Sequence, residues 1–257
     1  MKKYIYLITT LFFVVVPLFI AIGKEVAMES NVFKYRFKEG NFFVYEINVN
    51  GFVETFLPNG ANKTPVNMRM LVEQRVESVK ESKARIAVLF KEVRMLSGNT
   101  SQAMPEEGTT LSYEQDNRGN TSGVVASFTW QSVSFSSLVF PEHPLKPGDQ
   151  WVTNSPVNSQ LPFENKIRYT FEKTVDLNGR KLAIFKNELL VPDLTNIEGS
   201  RNEMKTSGKI AFDIDLGQIF EVESDSMFGF SIPVPELNLP VFTRTSIKTV
   251  MKLKTGK

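Results

Sequence analysis

Hydrophobic and polar residues alternate along much of this chain with a period of two. In Phe43-Val44-Tyr45-Glu46-Ile47-Asn48-Val49 the odd positions are apolar. Val66, Met68, Met70 and Val72 alternate with Asn67, Arg69, Leu71 and Glu73. Val241, Thr243, Thr245, Ile247, Thr249, Met251 and Leu253 alternate with Phe242, Arg244, Ser246, Lys248 and Lys252. This pattern predicts strands with one buried and one wet face. Turn residues separate them. Asn178-Gly179 lies between Thr170–Val175 and Lys181–Leu190 and predicts a hairpin, because both residues tolerate positive φ. Pro58-Asn59-Gly60 closes an earlier strand, and Asp215-Leu216-Gly217 splits Lys209–Ile214 from Gln218–Glu223.

Helical periodicity is scarce. One short helix is expected over Phe128–Phe140, where Val133, Ser136-Ser137 and Phe140 fall near helical spacing and Pro141 acts as a stop. The predicted class is all-β, mainly antiparallel.

The pattern also repeats. Phe37-Lys38-Glu39-Gly40-Asn41-Phe42-Phe43-Val44 matches Leu145-Lys146-Pro147-Gly148-Asp149-Gln150-Trp151-Val152. Val79 through Ala84–Lys91 resembles Val175 through Arg180–Lys186. Leu111–Asp116 with Gly119 resembles Ile210–Asp215 with Gly217. The three blocks keep the same order. Each half, residues 24–140 and 141–257, is therefore expected to form a curved meander with one apolar face it cannot cover alone. Two such halves would share a core as a sandwich or as an open half-barrel pair.

The first residues change where this fold must work. Lys2 and Lys3 precede an apolar run that meets no charge until Lys24, and Ala21-Ile22-Gly23 offers a signal-peptidase site. Residues 1–23 are expected to be an export signal cut before Lys24, or otherwise an uncleaved anchor, since a span needs about 20 apolar residues. Either way the positive end stays inside and the remainder is exported, to the periplasm, the medium or the outer face of the membrane. Removing Lys2 and Lys3 takes Lys+Arg from 30 to 28, equal to the 28 Asp+Glu, so the exported part is neutral. It lacks the basic patch a nucleic-acid partner needs. The chain has no cysteine, which removes disulfides, thiolate chemistry and lipid attachment at an N-terminal Cys. Membrane attachment is expected only through residues 1–23.

Phe140-Pro141-Glu142-His143-Pro144-Leu145-Lys146-Pro147-Gly148-Asp149-Gln150-Trp151 resembles the F-P-x-x-P-[LV]-K-x-G-D-x-W segment of a group of bacterial exported proteins of unknown function. Gly179–Ala183 and Asp213–Gly217 are similar to further blocks of that group. The resemblance implies an exported β-rich fold and transfers no catalytic residue. Many members are lipoproteins, from which this cysteine-free chain departs.

Catalytic inventory is thin. His143 is the single histidine and sits in a proline-rich connector. Asp213, Asp215, Glu221 and Glu223 would share one face of a hairpin, the only arrangement suggesting carboxylate hydrolysis. No phosphate loop or dinucleotide fingerprint occurs. Surplus apolar bulk is more suggestive: 21 Phe and 9 Met. The expectation is a non-enzymatic envelope protein, without cofactor or metal, holding a lipid or other hydrophobic molecule in an apolar cavity. Phe43, Tyr45, Met68, Met70, Phe228 and Phe230 are its candidate lining. The proline-rich stretch Phe228–Pro240 is expected as a loop or edge over its mouth. The alternative is a module with a filled core that binds an envelope protein partner.

Overall fold

The alternation becomes hydrogen-bonded ladders in the computed structural model, which describes residues 24–25, 31–57, 59–98, 100–125, 138–154, 166–190, 203–234 and 239–256. The strands are β1 (Lys24–Glu25), β2 (Phe42–Leu57), β3 (Gly60–Lys80), β4 (Lys83–Ser97), β5 (Thr100–Ala103), β6 (Thr110–Asp116) and β7 (Thr121–Val125). They continue as β8 (Gln150–Asn154), β9 (Lys166–Leu177), β10 (Arg180–Leu190), β11 (Glu203–Asp213), β12 (Gln218–Val234) and β13 (Leu239–Gly256). All 13 belong to one sheet, ordered β1-β9-β10-β11-β12-β13-β2-β3-β4-β6-β7, with β5 on β4 and β8 on β9. Every pairing is antiparallel. Among the described residues the sheet is open, so the half-barrel arrangement holds and the two-sheet sandwich does not. The expected helix lies mostly outside the described residues, and Leu138–Phe140 at its end are not helical.

The repeated blocks occupy matching places. At the first, Gly40 N–H donates to Val76 O at 2.9 Å and Val76 N–H to Asn41 O at 2.8 Å. At its counterpart, Gly148 N–H donates to Phe171 O at 2.7 Å and Phe171 N–H to Asp149 O at 3.0 Å. Both glycines have positive φ, 82° and 95°. The β3–β4 and β9–β10 turns place Glu81 and Asn178 at φ 55° and 53°. In the third block, the carbonyls of Asp116 and Asp213 accept the amides of Gly119 and Gly217. The ladder β2-β3-β4-β6-β7 thus runs parallel in design to β8-β9-β10-β11-β12. The long β13 then joins β12 to β2.

Bulges and close-approach glycines bend the sheet. Register shifts interrupt β3–β4, β9–β10, β11–β12 and β13–β2. A Cβ on Gly51 would overlap the Ser246 carbonyl, and one on Gly208 the Glu223 carbonyl. Only glycine allows neighbouring backbones this near, as a strongly coiled strand requires.

Two connectors cross the sheet at the end holding the β6–β7 and β11–β12 turns. The first is Asn31–Phe37, where Phe33 and Tyr35 are buried and Lys34 and Arg36 exposed. Tyr35 N–H donates to Asn117 O and Arg36 N–H to Gly217 O, so one strap ties the two equivalent turns together. The second is Leu138–Leu145, bridged to the first through Asn31 and Leu145. Together they seat an aromatic cluster. Phe140 lies 5.0 Å from Phe212 and 5.7 Å from Phe185, and Phe33 lies 5.1 Å from Phe171, between ring centroids. Tyr35 meets Phe212 edge-on at 5.3 Å. Each of these rings is worth about 1.5–3 kcal/mol of burial.

Of the expected loop or edge at Phe228–Pro240, residues 228–234 and 239–240 are strand, and 235–238 lie outside the described residues. Pro233 and Pro240 are register partners near the tip of the long β12–β13 hairpin. The last pair of β11 with β12 is Glu203–Gly229, and that of β13 with β2 is Phe242–Phe56. Both prolines lie beyond those pairs, where no further strand among the described residues asks for the missing N–H. Pro65 obeys the same rule: β3 has lost β4 by that point, since their pairing begins at Met68.

Candidate functional site: the inner face of the sheet

Register sorts the long strands into rows of side chains on the face the straps cover. Ile210, Val222, Met251, Ile47, Met70 and Val93 stand side by side across β11, β12, β13, β2, β3 and β4. None is more than 5% exposed. Two residues farther from the straps come Gly208, Ser224, Thr249, Val49, Met68 and Met95. Then follow Thr206, Ser226, Ile247, Gly51 and Val66, and after them Met204, Phe228, Thr245, Val53 and Thr64. Burial declines along β12 in this series, until Phe230 is 40% exposed, whereas on β13 Val241, one row farther, is again buried at 6%.

Charge divides the two faces completely on these strands. The inner rows named above contain no Asp, Glu, His, Lys or Arg. The outer positions between them hold Glu46, Glu54, Lys63, Arg69, Lys186, Glu188, Lys209, Glu221, Glu223, Asp225, Arg244, Lys248 and Lys252. Outer charges pair locally, as in Arg69–Glu46 at 2.9 Å and Arg244–Glu203 at 3.0 Å. Hydrogen bonds from Asn48 and Arg69 hold the Glu46 carboxyl below its usual range. A depression of about 400 Å³ is lined by Arg168, Lys186, Glu188, Lys209, Glu223 and Asp225 together with Asn187 and Gly208.

The six residues expected to line a site share the inner face but not one environment. Phe43 and Tyr45 are 2% exposed and belong to the packed end, where the Tyr45 hydroxyl donates to Ile219 O at 3.1 Å. Burial pushes the Tyr45 phenol well up from its ordinary value. Met68 and Met70 are 3% exposed, in the first two rows. Phe228 and Phe230 lie farther along, across β13 and β2 from the methionine strand.

The four carboxylates do not assemble. Asp213 is 2% exposed. It accepts from Arg180 Nη1 and from Leu216 N–H, each at 2.8 Å, which makes it a turn and core residue. Asp215 is exposed, Glu221 faces Lys252 on the outer side, and Glu223 is opposite Lys209. The bulge at Ala211/Phe212 breaks the simple period-two count between them. No group of three or more His, Asp or Glu side chains able to hold a metal occurs among the described residues. His143 is exposed in its connector.

Sequence reasoning missed the straps. Their signal was present in the alternation Phe33-Lys34-Tyr35-Arg36-Phe37-Lys38, but a short alternating run does not say what it crosses.

No family model and no curated protein matches this chain. A solved structure of lipovitellin, concerned with lipid–protein interactions, superposes with a TM-score of 0.51 at 9% identity. The match covers 86% of this chain but 26% of that one, so the chain spans about a quarter of that protein's length. At this identity the likeness is one of fold. DynF from the dynemicin pathway of Micromonospora chersina aligns at 11% identity over 90% of this chain and 92% of its own, with a TM-score of 0.25. A putative outer membrane lipoprotein-sorting protein domain from Vibrio parahaemolyticus aligns at 9% identity over 85% of each chain, with a TM-score of 0.20.

Proposed function

We propose that this is an exported, non-enzymatic protein of the bacterial envelope that holds a lipid or other hydrophobic molecule against the inner face of its curved sheet. The observation that carries this reading is that the inner rows among the described residues carry no charged side chain from the straps out to the exposed Phe230. A soluble protein normally wets such positions with charge once they leave the core. Here the charges all go to the other face. The sheet likeness to lipovitellin supports the same reading, because in that protein the described interactions are with lipid. Met1–Gly23, outside the described residues, supplies the export signal on its lysine–apolar–small pattern.

The strap end favours a second reading. Its aromatic cluster is packed side chain to side chain, as in a module whose core is filled and whose surface binds an envelope protein. Native mass spectrometry and lipid extraction of the protein purified from its own envelope separate the two. A co-purifying hydrophobic molecule is expected. Protein that is empty in every preparation would leave the interaction module as the better account.

A further inference from the structure

The inner face beyond the straps is not uniformly apolar. On the β2–β4 side its rows present Val49, Val66, Met68, Met95 and Val53. On the β11–β13 side the rows nearer the straps present Thr206, Ser224, Ser226 and Thr249 with Ile247 among them, and the next row presents Thr245 beside Met204 and Phe228. The Thr206 hydroxyl donates to Ser226 Oγ at 3.1 Å, and the group still has lone pairs to offer. Gly208 extends the hydroxyl row without filling it. Next to Gly208 across β10, the Asn187 side-chain oxygen is buried and has no hydrogen-bond partner.

We infer that the molecule taken by this face is an uncharged amphiphile with a hydroxyl-bearing head, its hydrocarbon against β2–β4 and its head over β11–β13. This rests on the proposed function and narrows it. A wholly apolar ligand would cover Ser224, Ser226, Thr206 and the Asn187 oxygen with hydrocarbon, and each covered polar atom without a partner is penalised. A carboxylate or phosphate head would meet no cation, because no Lys or Arg stands on this face among the described residues, and an unpaired charge leaving water is penalised far more. Hydroxyls both donate and accept, so a neutral polyol head can satisfy this belt, including the acceptor at Asn187.

The test is displacement of N-phenyl-1-naphthylamine from the purified full chain by monooleoylglycerol, oleate and dioleoyl phosphatidylglycerol at pH 8. Monooleoylglycerol is expected to displace the dye at a concentration at least ~10-fold lower than either anion, a gap of one decade in Kd. Ser226→Lys, which sets a cation in the belt, is expected to reverse that order in favour of oleate. Circular dichroism of the variant confirms that it folds. Equal displacement by neutral and anionic lipids overturns the headgroup assignment and leaves hydrophobic binding standing. No dye binding and no displacement by any lipid overturns both.

Discussion

The strap end and the far end of the inner face are built from the same strands, yet one is core and the other is surface. On β2, Ile47 is 1% exposed, while Leu57 is 37% exposed. On β12, Val222 is 3% exposed, while Phe230 is 40% exposed. The same strands run through both ends, although hydroxyls interrupt the inner face and Phe52, Phe56 and Phe242 stand on the outer one. The difference comes from what crosses them. Where Asn31–Phe37 and Leu138–Leu145 lie over the sheet, aromatic rings close the space. Beyond them the same apolar period has no such cover among the straps. A β-sheet with one unfilled apolar face is a binding surface once something else supplies the missing layer.

The largest expected effect tests the packed end. Phe140 touches Phe33, Tyr35, Phe185 and Phe212 and is 1% exposed. Phe140→Ala is expected to lower unfolding free energy by about 3–5 kcal/mol, read from urea denaturation. A loss below about 1 kcal/mol would mean that the straps do not seat a core.

Next comes the strap's attachment. Gly217 has φ +66° and an added Cβ would meet Arg36 within the strap, backbone nitrogen included. Gly98 has φ +56° and nothing within 4 Å. Both alanine variants carry the left-handed penalty of about 1–2 kcal/mol. Only Gly217→Ala also displaces the strap, so its melting temperature should fall well below that of Gly98→Ala. Equal melting temperatures would show that the close approach to Arg36 does not matter.

The third effect is a pH limit that belongs to the strap end. Burial raises the phenols of Tyr35, Tyr45 and Tyr169 above their ordinary value. A raised folded-state value means that the neutral form is favoured in the fold. Stability is then full below the unfolded phenol value of about 10 and is lost as pH rises above it. Loss of near-ultraviolet circular dichroism and tyrosinate absorbance should therefore rise together. Tyrosinate appearing near pH 10 with the dichroism intact would place these hydroxyls in water instead.

Much of this contrast was legible in the chain. The odd positions from Phe43 to Val49 are all buried, with Val44 the one even position that joins them, and Val241–Leu253 keeps its period along one strand. The Asn178-Gly179 hairpin and the matching Gly40 and Gly148 turns follow from residues that tolerate positive φ. What stayed hidden depends on distant partners. Nothing local says that Leu253 pairs with Tyr45, or that Tyr35 rests on the turns at Asn117 and Gly217. The prolines of β12 and β13 pointed to a loop or an edge without deciding between them, because a proline does not reveal how many neighbours its strand has. Asp213 pointed to a surface hairpin because its period-two position does not reveal that Arg180 from β10 and the Leu216 amide close over its carboxylate. Of the six expected site residues, Phe43 and Tyr45 could not be told from Phe228 and Phe230 by composition. Only the straps distinguish them.

The smallest effect on stability sharpens the comparison most. Phe230 lies on the same inner face as Val222, eight positions along β12, and is 40% exposed. If it served the fold, Phe230→Ala would behave as a weaker Phe140→Ala. Its exposure leaves little burial to lose, so the change in unfolding free energy should stay under about 1 kcal/mol. The same variant should weaken dye binding several-fold, because a large ring on an uncharged, partly open face contributes to a ligand rather than to the core. Phe140→Ala, measured at a temperature where it remains folded, should show the reverse balance. If Phe230→Ala leaves dye binding unchanged, the far end of the inner face is merely unpacked sheet. The bound molecule must then be sought elsewhere.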